Sequence, residues 1–125
     1  MSPLSEQKAV VDVVSKYLNG AYEGNAALIR EAFHPKASMC GYLLEQEVIA
    51  TPEFYIAEVE KNPSPKEIGE NMQSVLSHIE VNGPVATVTV KLSSYWGTNG
   101  TDHLHLIKED GNWRIISKTF WIHKP

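Results

Sequence analysis

Apolar residues recur at spacings of three and four near the start of the chain. Val10, Val13, Val14, Tyr17, Leu18 and Ala21 fall on one stripe of a helix. Ser2-Pro3 or Ser5 offers a start, and Gly24 a stop. Asn25 reads as the N-cap of a short second helix whose apolar face is Leu28, Ile29, Ala32 and Phe33, with Pro35 ending it. Residues 37–42 and 43–50 read as two short extended segments that pair. Thr51-Pro52-Glu53 is a third helix start: a capping hydroxyl, a proline in the first turn and an acid near the positive end of the dipole. That helix carries Phe54, Tyr55, Ile56 and Val59, and dissolves before Pro63 and Pro65 into a loop reaching about Gly69.

The period then changes from helical to two. Residues 73–81 alternate loosely, and Asn82-Gly83-Pro84 is a turn. Residues 85–93 alternate clearly, with Ala86, Val88, Val90 and Leu92 on one face and Thr87, Thr89 and Lys91 on the other. Thr98-Asn99-Gly100 reads as a second turn, 101–108 as a strand, Glu109-Asp110-Gly111 as a hairpin loop, and 113–122 as the last strand. Three helices with an early strand pair, followed by a four-stranded antiparallel meander, predict an α+β fold. A sheet with one apolar face must be covered. The first helix is the cover, and a strongly curved sheet around it leaves a cone with an open mouth.

Composition narrows the function classes. At 125 residues the chain is a single domain, 1–125, large enough to bury its own core. Lys+Arg number 11 against 15 Asp+Glu, and a net charge of −4 argues against nucleic acid or an anionic membrane as partner. The single cysteine, Cys40, excludes an intrachain disulfide. No apolar run has the length of a membrane span, and the first residues lack the basic and apolar regions of a signal peptide. The expectation is a soluble cytoplasmic protein.

The series Tyr17-Leu18, Gly24-Asn25, Leu28, Phe33-His34-Pro35 and Ala37 resembles the opening of the NTF2-like superfamily, which includes ketosteroid isomerase, scytalone dehydratase and the SnoaL-like polyketide cyclases. The stretch from Asp102-His103-Leu104-His105 to Asp110-Gly111-Asn112-Trp113 and Lys118 resembles, more narrowly, the "putative lumazine-binding" branch. The resemblance implies a cystatin-like conical barrel with a deep pocket, and a homodimer joined through the outer face of the sheet. It does not fix the function, since the fold carries enzymes, binding modules and transport adaptors.

Ketosteroid isomerase chemistry needs a carboxylate base and donors for an enolate oxygen. The resemblance places the oxyanion tyrosine at Tyr17 and the base at Gly41, which has no side chain. Cys40 and Tyr42 beside it point to the opposite face of an extended segment. Tyr17 is therefore either a hydrogen-bond donor in a site or a core tyrosine with its hydroxyl at the rim. Asp102 shares a face with Leu104 and Leu106, and the resemblance lets a polar residue here enter the cavity. With the loop Glu109-Asp110-Gly111, Asp102 falls opposite Lys118, and a different register moves Lys118 to the other face. The pair is either a structural ion pair or part of a ligand site, and an aspartate so paired serves better as an acceptor than as a proton donor.

Other chemistry is weaker. His103 and His105 share a face, but no carboxylate-histidine motif accompanies them. If Leu104 and Leu106 face inward, these histidines lie on the outer sheet surface expected to dimerise. Cys40 has no adjacent base and reads as a small buried residue. No phosphate loop, dinucleotide fingerprint or serine-nucleophile motif is present, and no metal or cofactor is expected. Trp113 and Trp121 read as sharing one face of the last strand, with Phe120 on the other. Phe54 and Trp96 are candidates to line a pocket for a flat ligand.

The expected function is the binding of a small, flat, largely apolar molecule in an enclosed pocket by Tyr17, Asp102, Lys118, Phe54 and Trp96. The alternative is an enzyme of the isomerase, dehydratase or cyclase kind using Tyr17, with Asp102 or a histidine as proton carrier. An interaction module with its pocket closed by side chains is the third.

Overall fold

The computed structural model describes residues 2–125. Helix α1 spans Pro3–Glu23, α2 Ala26–Ala32 and α3 Pro52–Lys61. The strands are β1 Phe33–Leu43, β2 Gln46–Ala50, β3 Gln73–Asn82, β4 Val85–Tyr95, β5 Thr98–Glu109 and β6 Asn112–His123. They form one curved six-stranded sheet in the order β2-β1-β6-β5-β4-β3. The fold is α+β, as the alternation predicts. All pairings are antiparallel except β1 with β6, which run parallel.

The helices start and stop where their residues allow. Ser2 caps α1 by accepting from the Ser5 backbone, and Gly24 ends it in the left-handed conformation at φ 72°. The Asn25 side chain accepts from the Leu28 backbone to open α2. Thr51 sits at the N-cap of α3, but its hydroxyl makes no capping bond. The Thr51 backbone carbonyl accepts from Phe54 instead. Helix α2 ends at Ala32, and Pro35 lies inside β1, not at a helix end.

The buried side of α1, Val10, Val14, Tyr17, Leu18 and Ala21, packs into the hollow of the sheet. Facing it are Val88 and Val90 of β4, Leu104 and Leu106 of β5, and Trp113 and Ile115 of β6. Full burial of side chains this size stabilises by about 2 kcal/mol each, and the helix is held by this face more than by its own propensity. Its first turn is also latched to the last hairpin. Lys108 Nζ donates to Glu6 Oε1 at 2.8 Å, and Trp113 Nε1 to Glu6 Oε2 at 2.9 Å. The hydrogen bond from Lys108 lowers the Glu6 pKa, partly opposed by desolvation and helped by Trp113. A depressed carboxyl pKa contributes stability that is complete above the unfolded value of about 4.3 and is lost as pH falls through the lower folded value. Urea melts of Glu6→Gln against the parent should therefore differ at pH 7 and converge in acid. A gap that persists at pH 2 would refute the latch.

Two predicted turns sit elsewhere. The β4–β5 turn is Trp96-Gly97, with φ of 48° and 76°, and Thr98-Asn99-Gly100 is already strand. The β5–β6 loop is Asp110-Gly111 alone, with φ of 52° and 80°, the pair of left-handed residues that a two-residue hairpin needs. Glu109 pairs with Asn112 and belongs to β5.

Strand β6 then carries an extra residue. His105 pairs with Ser117, while Leu106 pairs with Ile115, so Ile116 is a bulge. The bulge reverses the facing of everything beyond it. Trp113 and Ile115 point inward, and so do Lys118 and Phe120, while Trp121 is 55% exposed on the outside. The expectation that Trp113 and Trp121 share a face fails for this reason. Asp102 is opposite Phe120, and Lys118 is opposite Leu104, one diagonal step from Asp102. The shorter loop and the bulge each shift the register by one, so Asp102 and Lys118 still share the inner face.

Candidate functional site

Asp102, Tyr17 and Lys118 meet in the interior. The Tyr17 hydroxyl donates to Asp102 Oδ2 at 2.6 Å, and Lys118 Nζ donates to the Tyr17 oxygen at 2.7 Å. Asp102 is 0% exposed, Tyr17 1% and Lys118 6%. The hydroxyl thus bridges a buried acid and a buried base contributed by three elements, α1, β5 and β6. Asp102 Oδ1 has no hydrogen-bond partner among the described residues. Burial pushes the Tyr17 pKa well up, the Asp102 charge adds to it, and the phenol keeps its proton. Burial pulls the Lys118 amine below the usual lysine range, with Asp102 opposing.

The Lys118 nitrogen stands over three aromatic rings, 4.4 Å from the centre of Tyr55, 4.8 Å from Tyr17 and 5.3 Å from Phe120. The Tyr55 hydroxyl is hydrogen-bonded to that of Tyr95 at 2.6 Å. Burial raises both phenols above the ordinary tyrosine range. Lys118, Tyr55 and Tyr95 line a cavity of about 490 Å³, with Glu58, Asn62 and Thr98 as its other polar residues. Met39, Val48, Phe120 and Ile122 make apolar walls. Phe54 and Ile68, each more than half exposed, stand with Trp96 toward solvent. Trp96 is fixed by stacking on Tyr95 at 4.7 Å and by donating Nε1–H to the Pro63 carbonyl at 2.8 Å. The backbone of Gly97 donates to Glu70 at 2.7 Å, pinning the same turn to the loop after α3.

Of the five residues read from sequence as ligand-binding, Lys118, Phe54 and Trp96 line this cavity. Tyr17 and Asp102 do not line it. They lie behind Lys118 and reach the cavity only through its amine. Tyr55 and Tyr95, aromatics of the same group as Phe54 and Trp96 but not singled out with them, also line it. Their hydroxyl pair joins α3 to the end of β4, a contact between distant segments that local spacing does not signal.

Gly41 lies on the inner side of β1 between Met39 and Leu43. A Cβ there would overlap the backbone carbonyl of Phe120 on the parallel neighbour β6. The position of the isomerase base is therefore closed to any side chain on this backbone. Cys40 is half-buried, where a buried thiol was expected.

His103 and His105 are exposed on the outer face of the sheet, away from the cavity. They stand in a cross-strand ladder, His103 beside Thr89 and His105 beside Ser117, each at 3.3 Å. No helix of the described residues is long and apolar enough to cross a membrane.

A curved sheet wrapped on a long helix, with a few polar groups in the wall of a largely apolar cavity, defines an NTF2-like protein. The chain belongs to the family described as "Putative lumazine-binding", which it matches over residues 5–121. Its structure is similar to that of an NTF2-like protein of unknown function from Shewanella baltica OS155. The TM-score is 0.88 at 23% identity, covering 100% of this chain and 99% of that one. A second NTF2-like protein of unknown function, from Methylobacillus flagellatus KT, gives a TM-score of 0.87 at 27% identity, covering 98% and 95%. In sequence the chain is 26% identical over 117 residues to Aldolase FrzH of Cladobotryum sp., covering 93% of this chain and 90% of that protein.

Proposed function

We propose that the cavity holds one small, flat, largely apolar molecule whose carbonyl oxygen is directed at Lys118. The observation that supports this most is the single amine in the wall of a largely apolar, aromatic-lined space. The volume suits a ligand of two or three fused rings. Apolar walls supply the affinity, and a few polar groups, Lys118 among them, fix the orientation. A carbonyl accepts a hydrogen bond from Lys118 without burying a second charge.

A second reading, an enzyme that moves a proton next to that carbonyl, is favoured by the Tyr17–Asp102 chain behind the amine. Asp102 does not reach the cavity, so its part in such a reaction is to position Tyr17 and Lys118, not to take the substrate's proton. The aldolase relative supports carbonyl chemistry as the class.

The test is a fluorescence titration with 2-acetylnaphthalene, since Trp96 stands in the cavity wall. Quenching should saturate at one equivalent. It should weaken by roughly tenfold or more when Ala50→Trp fills part of the space, a loss of about 1.4 kcal/mol in binding. Non-saturating quenching, or equal affinity in both proteins, would overturn the reading.

A further inference from the structure

We propose that Lys118 is a nucleophile that condenses with the carbonyl carbon of a flat, apolar aldehyde or ketone to form an imine. The proposal rests on the cavity reading above and assigns a covalent step to it. It stands on the placement of three groups.

Lys118 lines the cavity and is 6% exposed, so a bound carbonyl meets the amine with little competing water. The hydrogen bond of the amine goes to the Tyr17 oxygen and not to the carboxylate, because the Tyr17 proton is committed to Asp102 Oδ2. The carboxylate thus stands one group removed from the amine and holds it as the ammonium less firmly than a direct ion pair would. The apolar surroundings further favour the neutral form, the usual route by which a protein makes a lysine nucleophilic. The rings of Tyr17, Tyr55 and Phe120 restrict where Nζ can stand.

The step balances without a further reagent. The nitrogen lone pair adds to the carbonyl carbon, and the carbonyl oxygen takes up a proton to give a carbinolamine. The C–O bond then breaks. The two protons originally on the amine leave with that oxygen as one water, and a C=N bond remains. Tyr17 keeps its own proton on Asp102, and when the imine nitrogen takes up a proton from water to become the iminium its N–H again donates to the Tyr17 oxygen. The ligand class follows: an unhindered aldehyde or ketone on a flat apolar body, and not an ester or a carboxylic acid, which do not condense with an amine in this way. An imine acidifies the neighbouring C–H bonds, which is what a carbon–carbon bond-forming or bond-breaking reaction requires.

The experiment uses the full chain and benzoylacetone, a flat 1,3-diketone that condenses with a neutral amine, losing water, to give a conjugated enaminone. Trp96 quenching reports occupancy, near-ultraviolet absorbance reports the enaminone, and peptide mass mapping locates it. The expected result is saturable quenching with one adduct, of the diketone mass less one water, on Lys118. Lys118 should be modified at least about tenfold faster than any other lysine, as its burial requires. Mapping is done on the natural chain, so it does not depend on a variant that folds. Lys118→Met should lose the absorbance and the adduct. Saturable quenching without an adduct, or with adducts spread over surface lysines, would overturn the imine and leave the cavity reading standing. Absence of saturable quenching would overturn both.

Discussion

Replacing Gly41 by aspartate, the residue that the isomerase resemblance would put there, is expected to unfold the protein before it supplies a base. The obstacle is main chain. Gly41 pairs with Phe120 across the parallel β1–β6 contact, and a Cβ would overlap the Phe120 carbonyl oxygen and carbon. Flexible side chains can turn away from such an overlap, but a strand inside a six-stranded sheet must shift with its ladder. Gly41→Ala isolates the effect, since it adds one methyl and no charge. The expected loss is about 3 kcal/mol, the upper part of the overpacking range, because backbone has to move. For a chain this length that lowers Tm by roughly 10 °C. Gly41→Asp should lose at least as much. Calorimetry checks both. Alanine within about 0.5 kcal/mol of the parent, the size of an ordinary surface change, would mean that β1 and β6 are not as close as described. The same shift would displace Phe120 and Lys118, so ligand binding should fall with stability and not independently of it.

This result also bears on what the chain's pattern could reveal. Helix α1 was legible because its stripe, its Ser2 cap and its Gly24 stop are local and agree with one another. The β3–β6 meander was legible because alternation and turn residues are local too. The parallel contact of β1 with β6 joins segments about eighty positions apart, and no local period reports it. The bulge at Ile116 is invisible for a related reason. Ile115-Ile116 reads as ordinary strand, and only the partner β5 shows that one of the two is unpaired. Carrying alternation from Trp113 through that point put Trp121 on the same face, whereas Trp113 is buried inside and Trp121 is exposed outside. Asp102 and Lys118 were read as a facing pair. They share the inner face at a diagonal, with the Tyr17 hydroxyl between them, a three-element contact that pairwise register cannot supply.

That shared hydroxyl makes Asp102 and Lys118 one energetic unit, and a double-mutant cycle should show it. Asp102→Asn removes the charge that opposes the desolvation of Lys118. Lys118→Met leaves the buried carboxylate with the tyrosine hydroxyl as its hydrogen-bond partner. Each single change is expected to cost about 3 kcal/mol, the cost of a buried charge without its counterpart. The double variant should cost less than the sum by at least about 1.5 kcal/mol, since no uncompensated charge remains. Additive losses in urea melts at pH 7 would show the two groups to be independent. The pH dependence provides a second, separate readout. The folded pKa of Lys118 lies below its unfolded value of about 10.4, so between the two the unfolded chain binds more protons. Stability from this group therefore rises with pH through that window, and the full penalty is present below the folded pKa. Tyr17, Tyr55 and Tyr95 act in the opposite direction. Their folded pKa values are raised, so the unfolded chain loses its phenol protons first and stability falls above about pH 10. Those contributions largely cancel when the parent is compared with Lys118→Met. The difference between the two should move in favour of the parent as pH rises from 7 to 10. A difference flat with pH would mean that the amine is as well solvated as a surface lysine, and the nucleophile assigned to this cavity would lose its physical basis.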